Sequence, residues 1–380
     1  MAATDSYAGG DGRLSPLSTP SATRAVLEAH GIGTKYTLGQ NFLVNDDVLK
    51  KIIALAEVGE NDRVLEVGPG IGTLTIALLK HAASVIASER DPDLPAVLAD
   101  TLHPWREKFA LIEKDALDVT RDDIVAAMVE IGGDTGYPDR ASSAANETAQ
   151  WAVSQSEDCL SESGYPVSPP QEDLQLSLPS KLVANLPYAV AATVVLDYFE
   201  NFPFMDSATI MVQKEVADRM AAAVGTKNYG AYTVKLGLYA EPVGRFAVGP
   251  GNFFPPPRVD SAVIRLNRRV PLMADGAPAS PEVIAAAALM ADAAFTNRRK
   301  TIANSCKTYF SGRGPILLGV ADSSAAEGAP TIALPDGAAT AERLPAIFEA
   351  AAIDPRRRGE TLTQQEFLAL GAALLRVTAA

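Results

Sequence analysis

The tetrapeptide Asn185-Leu186-Pro187-Tyr188 directly follows a short apolar run, Lys181-Leu182-Val183-Ala184, that reads as a buried strand. Its residue types suit one demanding piece of chemistry. An exocyclic amine such as adenine N6 is a poor nucleophile, because its lone pair is delocalised into the ring. The side-chain oxygen of Asn185 and the backbone carbonyl of Leu186 would accept the two amine hydrogens. That favours a pyramidal nitrogen, whose lone pair can then be aimed at an electrophilic methyl group. Pro187 would stiffen the turn, and Tyr188 would stack on a base taken out of its helix. The bland alternative is an ordinary Asn-x-Pro turn. Its surroundings decide.

A second candidate lies upstream. Arg63-Val64-Leu65-Glu66-Val67 reads as a buried strand running into Gly68-Pro69-Gly70-Ile71-Gly72. Glycines at such a turn let a ligand approach the backbone at the carboxyl edge of a sheet. The spacing is G-x-G-x-G, whereas a dinucleotide fingerprint needs G-x-G-x-x-G and a P-loop needs Lys-Ser/Thr. The Glu66-to-Gly70 stretch instead resembles motif I of S-adenosyl-L-methionine-dependent methyltransferases. Glu89 stands 21 residues after Gly68, at the end of the next strand, where a carboxylate can accept both hydroxyls of a ribose. Asp115, past a third strand, could receive the amine of the cofactor's adenine. Gln40-Asn41-Phe42-Leu43 precedes these elements, and its Asn41 side chain and Leu43 backbone could close over the same ligand. Alone, that loop reads as a helix entry.

The elements that must position these residues form a pattern. Short strands at 63–67, 83–88, 109–112, 181–184 and 208–212 alternate with helical stretches, among them Val48 to Ala56 with Asn45 or Asp46 as cap and Thr73 to His81. Alternation of this kind predicts an α/β fold with a doubly wound, mostly parallel, Rossmann-like sheet. A late hairpin is expected from Phe246 and Val248 to Ser261–Leu266. A boundary near Pro271 separates a Rossmann-like domain, 24–271, from a small, all-helical C-terminal domain, 272–380. Three segments are expected to lack fixed structure: a Gly/Ser/Thr/Pro-rich tail over 1–23, an acidic insertion over about 131–178, and a Gly/Ala/Pro stretch over about 314–339.

Composition narrows the function. The 380 residues are 47% hydrophobic yet contain no run of about 18 apolar residues, so a membrane span is not expected. The N-terminus lacks the charge and apolar order of a signal peptide. Two cysteines, Cys159 and Cys306, cannot make a disulfide framework or a four-thiolate metal site, which suits a reducing cytoplasm. No metal is expected, and the absence of heptads suggests a monomer.

The net charge of −13 seems to exclude a nucleic-acid partner, but its distribution does not. Between Asp118 and Ser180 twelve acids face two arginines, a local −10, whereas Ala293 to Val320 carries a local +5. Within the basic stretch, Phe295 could form the other face of a base sandwich, and Arg298, Arg299 and Lys300 could contact phosphates. Arg258, in the Pro-rich run before the last strand, either touches RNA or pairs with Asp260. The structural alternative makes Phe295 a helix core residue and the cations a solvated face.

With these segments in view, the chain resembles the KsgA family of small-subunit rRNA adenine N6,N6-dimethyltransferases. The matching segments occur in order: GQNFL, LEVGPGIGTLT, Glu89, DAL at Asp115, NLPY, MVQKEVADRM, FFPPPRVDSAVIRL, FTNRRKTIANS and IDPRRRGETLTQQEF. PPPRVDS and RRKTI point to this family rather than to the Erm methylases of large-subunit rRNA. The resemblance implies dimethylation of two adjacent adenosines in the 3′-terminal hairpin of 16S rRNA within an assembling small subunit. It carries over Asn41, Leu43, Gly68, Gly70, Glu89, Asp115 and Asn185 as cofactor contacts, and Asn185, Leu186, Pro187, Tyr188 and Phe295 as the target-base site. Two other readings stand beside it: an Erm-type methylase, and a small-subunit assembly factor without catalysis.

Overall fold

The computed structural model describes residues 12–34, 40–131, 178–319 and 331–379. Its centre is a seven-stranded sheet. The strands are β2 (Arg63–Val67), β3 (Ser84–Ser88), β4 (Phe109–Ile112), β5 (Lys181–Asn185), β6 (Ser207–Gln213), β7 (Ala240–Val248) and β9 (Ser261–Arg268), in the order β4-β3-β2-β5-β6-β9-β7. Pairings from β4 through β6 are parallel, and β9 runs antiparallel to both neighbours. The expected hairpin is the β7–β9 pair. Two residues, Phe42–Leu43, form β1 and pair with β8 (Phe253–Phe254) outside the main sheet.

Alternation along the strands feeds two separate cores. Leu65, Val67, Ile86, Leu182, Ala184, Ala208, Ile210 and Val212 pack on one face with helix Ala191–Asn201. Val64, Val85, Val183 and Met211 point the other way, onto helices Asp46–Ala56 and Thr73–Leu79. A strand buried on both faces must be mostly apolar, and these are, with the buried Glu66, Ser88 and Thr209 among the exceptions. Chain order reverses between β2 and β5: the chain leaves β2 toward β3 and β4, then returns to build outward from β5. Strand ends diverge at such a reversal and leave a crevice at the carboxyl edge.

The C-terminal region is helical, with helices Pro281–Phe295, Ile302–Phe310, Gly337–Ala350 and Gln364–Ala379. Its core also takes in Tyr229 and Val234, so the boundary near Pro271 is crossed by packing. Gly371 lets two of these helices touch. A Cβ there would lie 2.6 Å from the Ala287 nitrogen and 2.7 Å from the Val283 oxygen, both backbone atoms of helix Pro281–Phe295. Gly371→Ala is therefore expected to destabilise the protein by about 1–3 kcal/mol through overpacking. Chemical denaturation would measure this, and an unchanged midpoint would show that the helices can part without cost.

Two segments expected to be unstructured are ordered in part. From Gly12 the N-terminal stretch packs on the domain: Ser15, Leu17 and Thr23 are fully buried. Asp46 accepts the Leu14 and Ser15 N–H groups at 2.8 and 3.3 Å, and Thr19 caps helix Pro20–Ala29. A composition poor in large apolar residues conceals this, because one leucine and one carboxylate do the anchoring. Within 314–339, Pro315–Gly319 (β10) and Thr331–Asp336 (β11) form an antiparallel hairpin, with Leu318 and Leu334 buried in the C-terminal core. Residues 320–330 of that stretch, residues 1–11 and the acidic insertion from 132 to 177 lie outside the described residues.

Candidate active site

The crevice at the chain reversal is lined from four strand ends at once. The Gly68–Gly70 loop follows β2, Glu89 follows β3, Asp115 follows β4, and Asn185 ends β5 and leads into Leu186 to Tyr188. Gln40 to Leu43 form its lip, so that loop reaches the crevice.

The glycine loop has a backbone that only glycine adopts readily, with φ of +68° at Gly68 and +61° at Gly70. At Gly70 a Cβ would also stand 3.1 Å from the Phe42 ring. Glu89 is nearly buried, and its Oε1 accepts the N–H groups of Arg90 and Asp91, each at 2.9 Å. Burial raises its pKa, partly offset by those backbone donors. Asp115 is half-exposed. Arg90 donates to its Oδ2 at 2.9 Å and the Leu117 N–H to its Oδ1 at 3.2 Å, and the guanidinium holds the carboxyl below its usual range.

The Asn-Leu-Pro-Tyr turn is braced on three sides. Asn185 Nδ2 donates to the Asn41 carbonyl at 3.1 Å, which fastens the lip to the turn and leaves the amide oxygen as the free acceptor end. Leu186 is buried, and its N–H donates to the Met211 carbonyl of β6 at 3.1 Å. The Pro187 carbonyl accepts the Val190 and Ala191 N–H groups and leads the chain into helix Ala191–Asn201. Tyr188 is tied through its hydroxyl to Ser261 Oγ at 2.6 Å, so its ring cannot swing freely. A Gln40 Nε2–Asp91 Oδ2 bond of 2.7 Å adds a second tether for the lip.

One residue of the site carried no role in the sequence reading. Glu66 is 1% exposed, lines the crevice from β2, and its Oε2 has no hydrogen-bond partner among the described residues. Burial, reinforced by the Glu89 charge, pushes its carboxyl up to about 8. A buried polar atom without a partner is costly. Its only sequence signal was an acidic residue directly before a glycine turn. Three carboxyls and two glycines lining one crevice suit a ligand with a cation, a diol and an amine, the groups that S-adenosylmethionine presents.

Comparison with known proteins decides the family. The model of the family "Ribosomal RNA adenine dimethylase" matches residues 33–329. Ribosomal RNA small subunit methyltransferase A of Geobacillus sp. (strain WCH70) is 32% identical over 361 residues, covering 95% of this chain and 98% of that protein. The protein of the same name from Staphylococcus aureus (strain Newman) is 32% identical over 355 residues, covering 93% and 94%. This chain belongs to the ribosomal RNA adenine dimethylase family. Among solved structures, a dimethyladenosine transferase from Plasmodium falciparum shares the fold with a TM-score of 0.53 at 19% identity, over 87% of this chain and 95% of that one. The 23S rRNA methyltransferase ErmE does so with 0.50 at 20%, over 88% and 99%.

Against this dimethylase fold, one expected site residue is misplaced. Phe295 does not line the crevice. It ends helix Pro281–Phe295 and, partly buried, packs against the C-terminal core beside Tyr229 and Phe367, with ring centroids 6.0 and 6.2 Å away. Phe42 and Tyr188 supply the aromatic lining instead. Arg298 is also committed elsewhere, donating to Glu360 at 2.7 Å and to the Thr226 carbonyl at 2.9 Å. Arg299 and Lys300 are exposed and, with Thr301, Asn304, Lys307, Thr308 and Ser311, line a shallow groove along helix Ile302–Phe310. Arg258 is exposed, and no ion pair joins it to Asp260 among the described residues.

Proposed function

We propose that this rRNA adenine dimethyltransferase modifies adenosines of small-subunit rRNA, two adjacent ones in its 3′-terminal hairpin, during subunit assembly in the cytoplasm, and that it acts as a monomer. The observation that carries the reading is the meeting of the Asn185–Tyr188 turn with Glu66, Glu89 and Asp115 in one crevice. The relatives' names, which specify the small subunit, support the choice of RNA.

S-adenosylmethionine, bound there, supplies an electrophilic methyl group. Glu89 would take the ribose hydroxyls, Asp115 the adenine amine, and Asn41, Leu43, Gly68 and Gly70 would close round the rest. The target base enters from the other side. Its N6 hydrogens are accepted by Asn185 Oδ1 and the Leu186 carbonyl, while Tyr188, pinned by Ser261, gives the ring a fixed surface. The nitrogen becomes acidic once alkylated, and its proton leaves to water or a backbone carbonyl, so no strong base is required. The test is incubation with unmodified small subunits and methyl-labelled cofactor, followed by primer extension across the 3′ hairpin. Dimethyladenosine at two adjacent positions is the expected result. Label on large-subunit RNA alone, or tight binding without label, would overturn it.

The groove on helix Ile302–Phe310 gives this reading an electrostatic consequence. Replacing Arg299, Lys300 and Lys307 together by alanine should weaken RNA binding and flatten its salt dependence by about one logarithmic unit of slope per lost phosphate contact. Arg298→Ala should instead lower stability, through the ion pair to Glu360, and leave the salt slope near wild type. Filter binding at several salt concentrations separates the two outcomes.

A further inference from the structure

Arg90 holds an unassigned place in the crevice. Its backbone N–H is bound by Glu89 Oε1 and its guanidinium by Asp115 Oδ2, each at 2.9 Å, so one residue links two carboxylates rooted on neighbouring strands. Arg90 lines the cavity together with Lys114, Asp115 and Ala116.

We propose that Arg90 is the positioning residue for the adenine end of the cofactor, clamping Asp115 as a correctly turned anion and selecting a ligand that carries an amine donor there. This rests on the cofactor reading given above. The geometry explains how the clamp leaves Asp115 usable. Arg90 occupies one lone pair of Oδ2 and the Leu117 N–H one of Oδ1, and each carboxylate oxygen has a second lone pair. With a donor fixed on each oxygen the carboxylate has little freedom to turn, and Asp115, which lines the crevice, keeps acceptor capacity for a ligand. An ionised acceptor also discriminates more sharply than a neutral one. A donor amine gains a charge-assisted bond, whereas a carbonyl oxygen in its place meets like charge. Lys114 does not substitute for Arg90, because its ammonium is held by Asp123 at 2.7 Å.

Calorimetry of two probes on the full-length protein tests this: S-adenosylhomocysteine, and its inosyl counterpart, in which a carbonyl oxygen replaces the amine. Wild type should prefer the adenosyl probe by about 10- to 100-fold, the worth of a hydrogen bond to a charged group. Arg90→Leu should shrink that preference by about 5-fold or more, since residues in contact couple, and Arg90→Lys should restore part of it. The Arg90 side chain is 42% exposed, so these variants should fold, and circular dichroism melts would verify that. A merely structural Arg90 would weaken both probes equally and leave their ratio intact. An unchanged ratio in folded Arg90→Leu overturns the role of Arg90 alone. Failure of wild type to bind S-adenosylhomocysteine at all overturns the cofactor reading, and the clamp with it.

Discussion

Replacing Asn185 with alanine is expected to lower methyl transfer by about 100- to 1,000-fold, the cost of losing one preorganised group aimed at a reacting centre. The side chain makes one fixed contact, Nδ2 to the Asn41 carbonyl at 3.1 Å, and that contact orients the amide so that its oxygen is the end available to a substrate amine. Two variants separate these duties. Asn185→Ala removes both the acceptor and the tether. Asn185→Asp keeps an acceptor but sets a carboxylate against the Asn41 carbonyl, so the lip is repelled and cofactor affinity should fall together with rate. Single-turnover transfer on unmodified subunits, alongside cofactor titration, reads both quantities. A rate loss of less than about tenfold in Asn185→Ala would mean that the Leu186 carbonyl alone prepares the nitrogen, and that orientation of the base matters more than the number of acceptors.

The sheet and most of the crevice were legible in the sequence for a physical reason. Residues such as Val64 and Leu65 face opposite cores, so β2 is mostly apolar, and such a strand announces itself even without a partner in view. Functional residues of a doubly wound sheet sit at strand ends, so finding the strands also located the glycine loop, Glu89, Asp115 and Asn185. What resisted reading was whatever depends on packing between distant segments. Phe295 beside three cations has the composition of a base-stacking site, and only the positions of Tyr229 and Phe367 show it packed against the C-terminal core. Arg298 looks identical to Arg299 on paper, yet Glu360, 62 residues away, holds it in an ion pair. Burial of the Ser15–Leu17 stretch likewise depends on Asp46, which no local pattern reveals.

Glu66 leads to the second large effect, on stability and on protons. Burial, chiefly, raises its carboxyl from the ordinary 4.5 to about 8. In that window the folded protein holds a proton that the unfolded chain has released, so stability must fall as pH rises from about 4.5 to about 8. The loss is complete above that range and absent below it, and its size is on the order of 5 kcal/mol for a fully buried group. Glu66→Gln, neutral at every pH, should melt close to wild type at pH 5 and well above it at pH 8.5. Thermal unfolding of both proteins across this range checks the sign, and a difference independent of pH would show that Glu66 is already ionised and partnered in the folded state. The same carboxyl predicts the proton balance of ligand binding. A cationic ligand placed beside the unpartnered Oε2 favours the ionised form, so S-adenosylmethionine should bind with release of close to one proton at pH 7. Calorimetry in two buffers of different ionisation enthalpy would count it, and the release should vanish in Glu66→Gln. A release that vanishes in Glu66→Gln would mean that the crevice keeps its most buried acid neutral until a positive charge arrives to replace the proton.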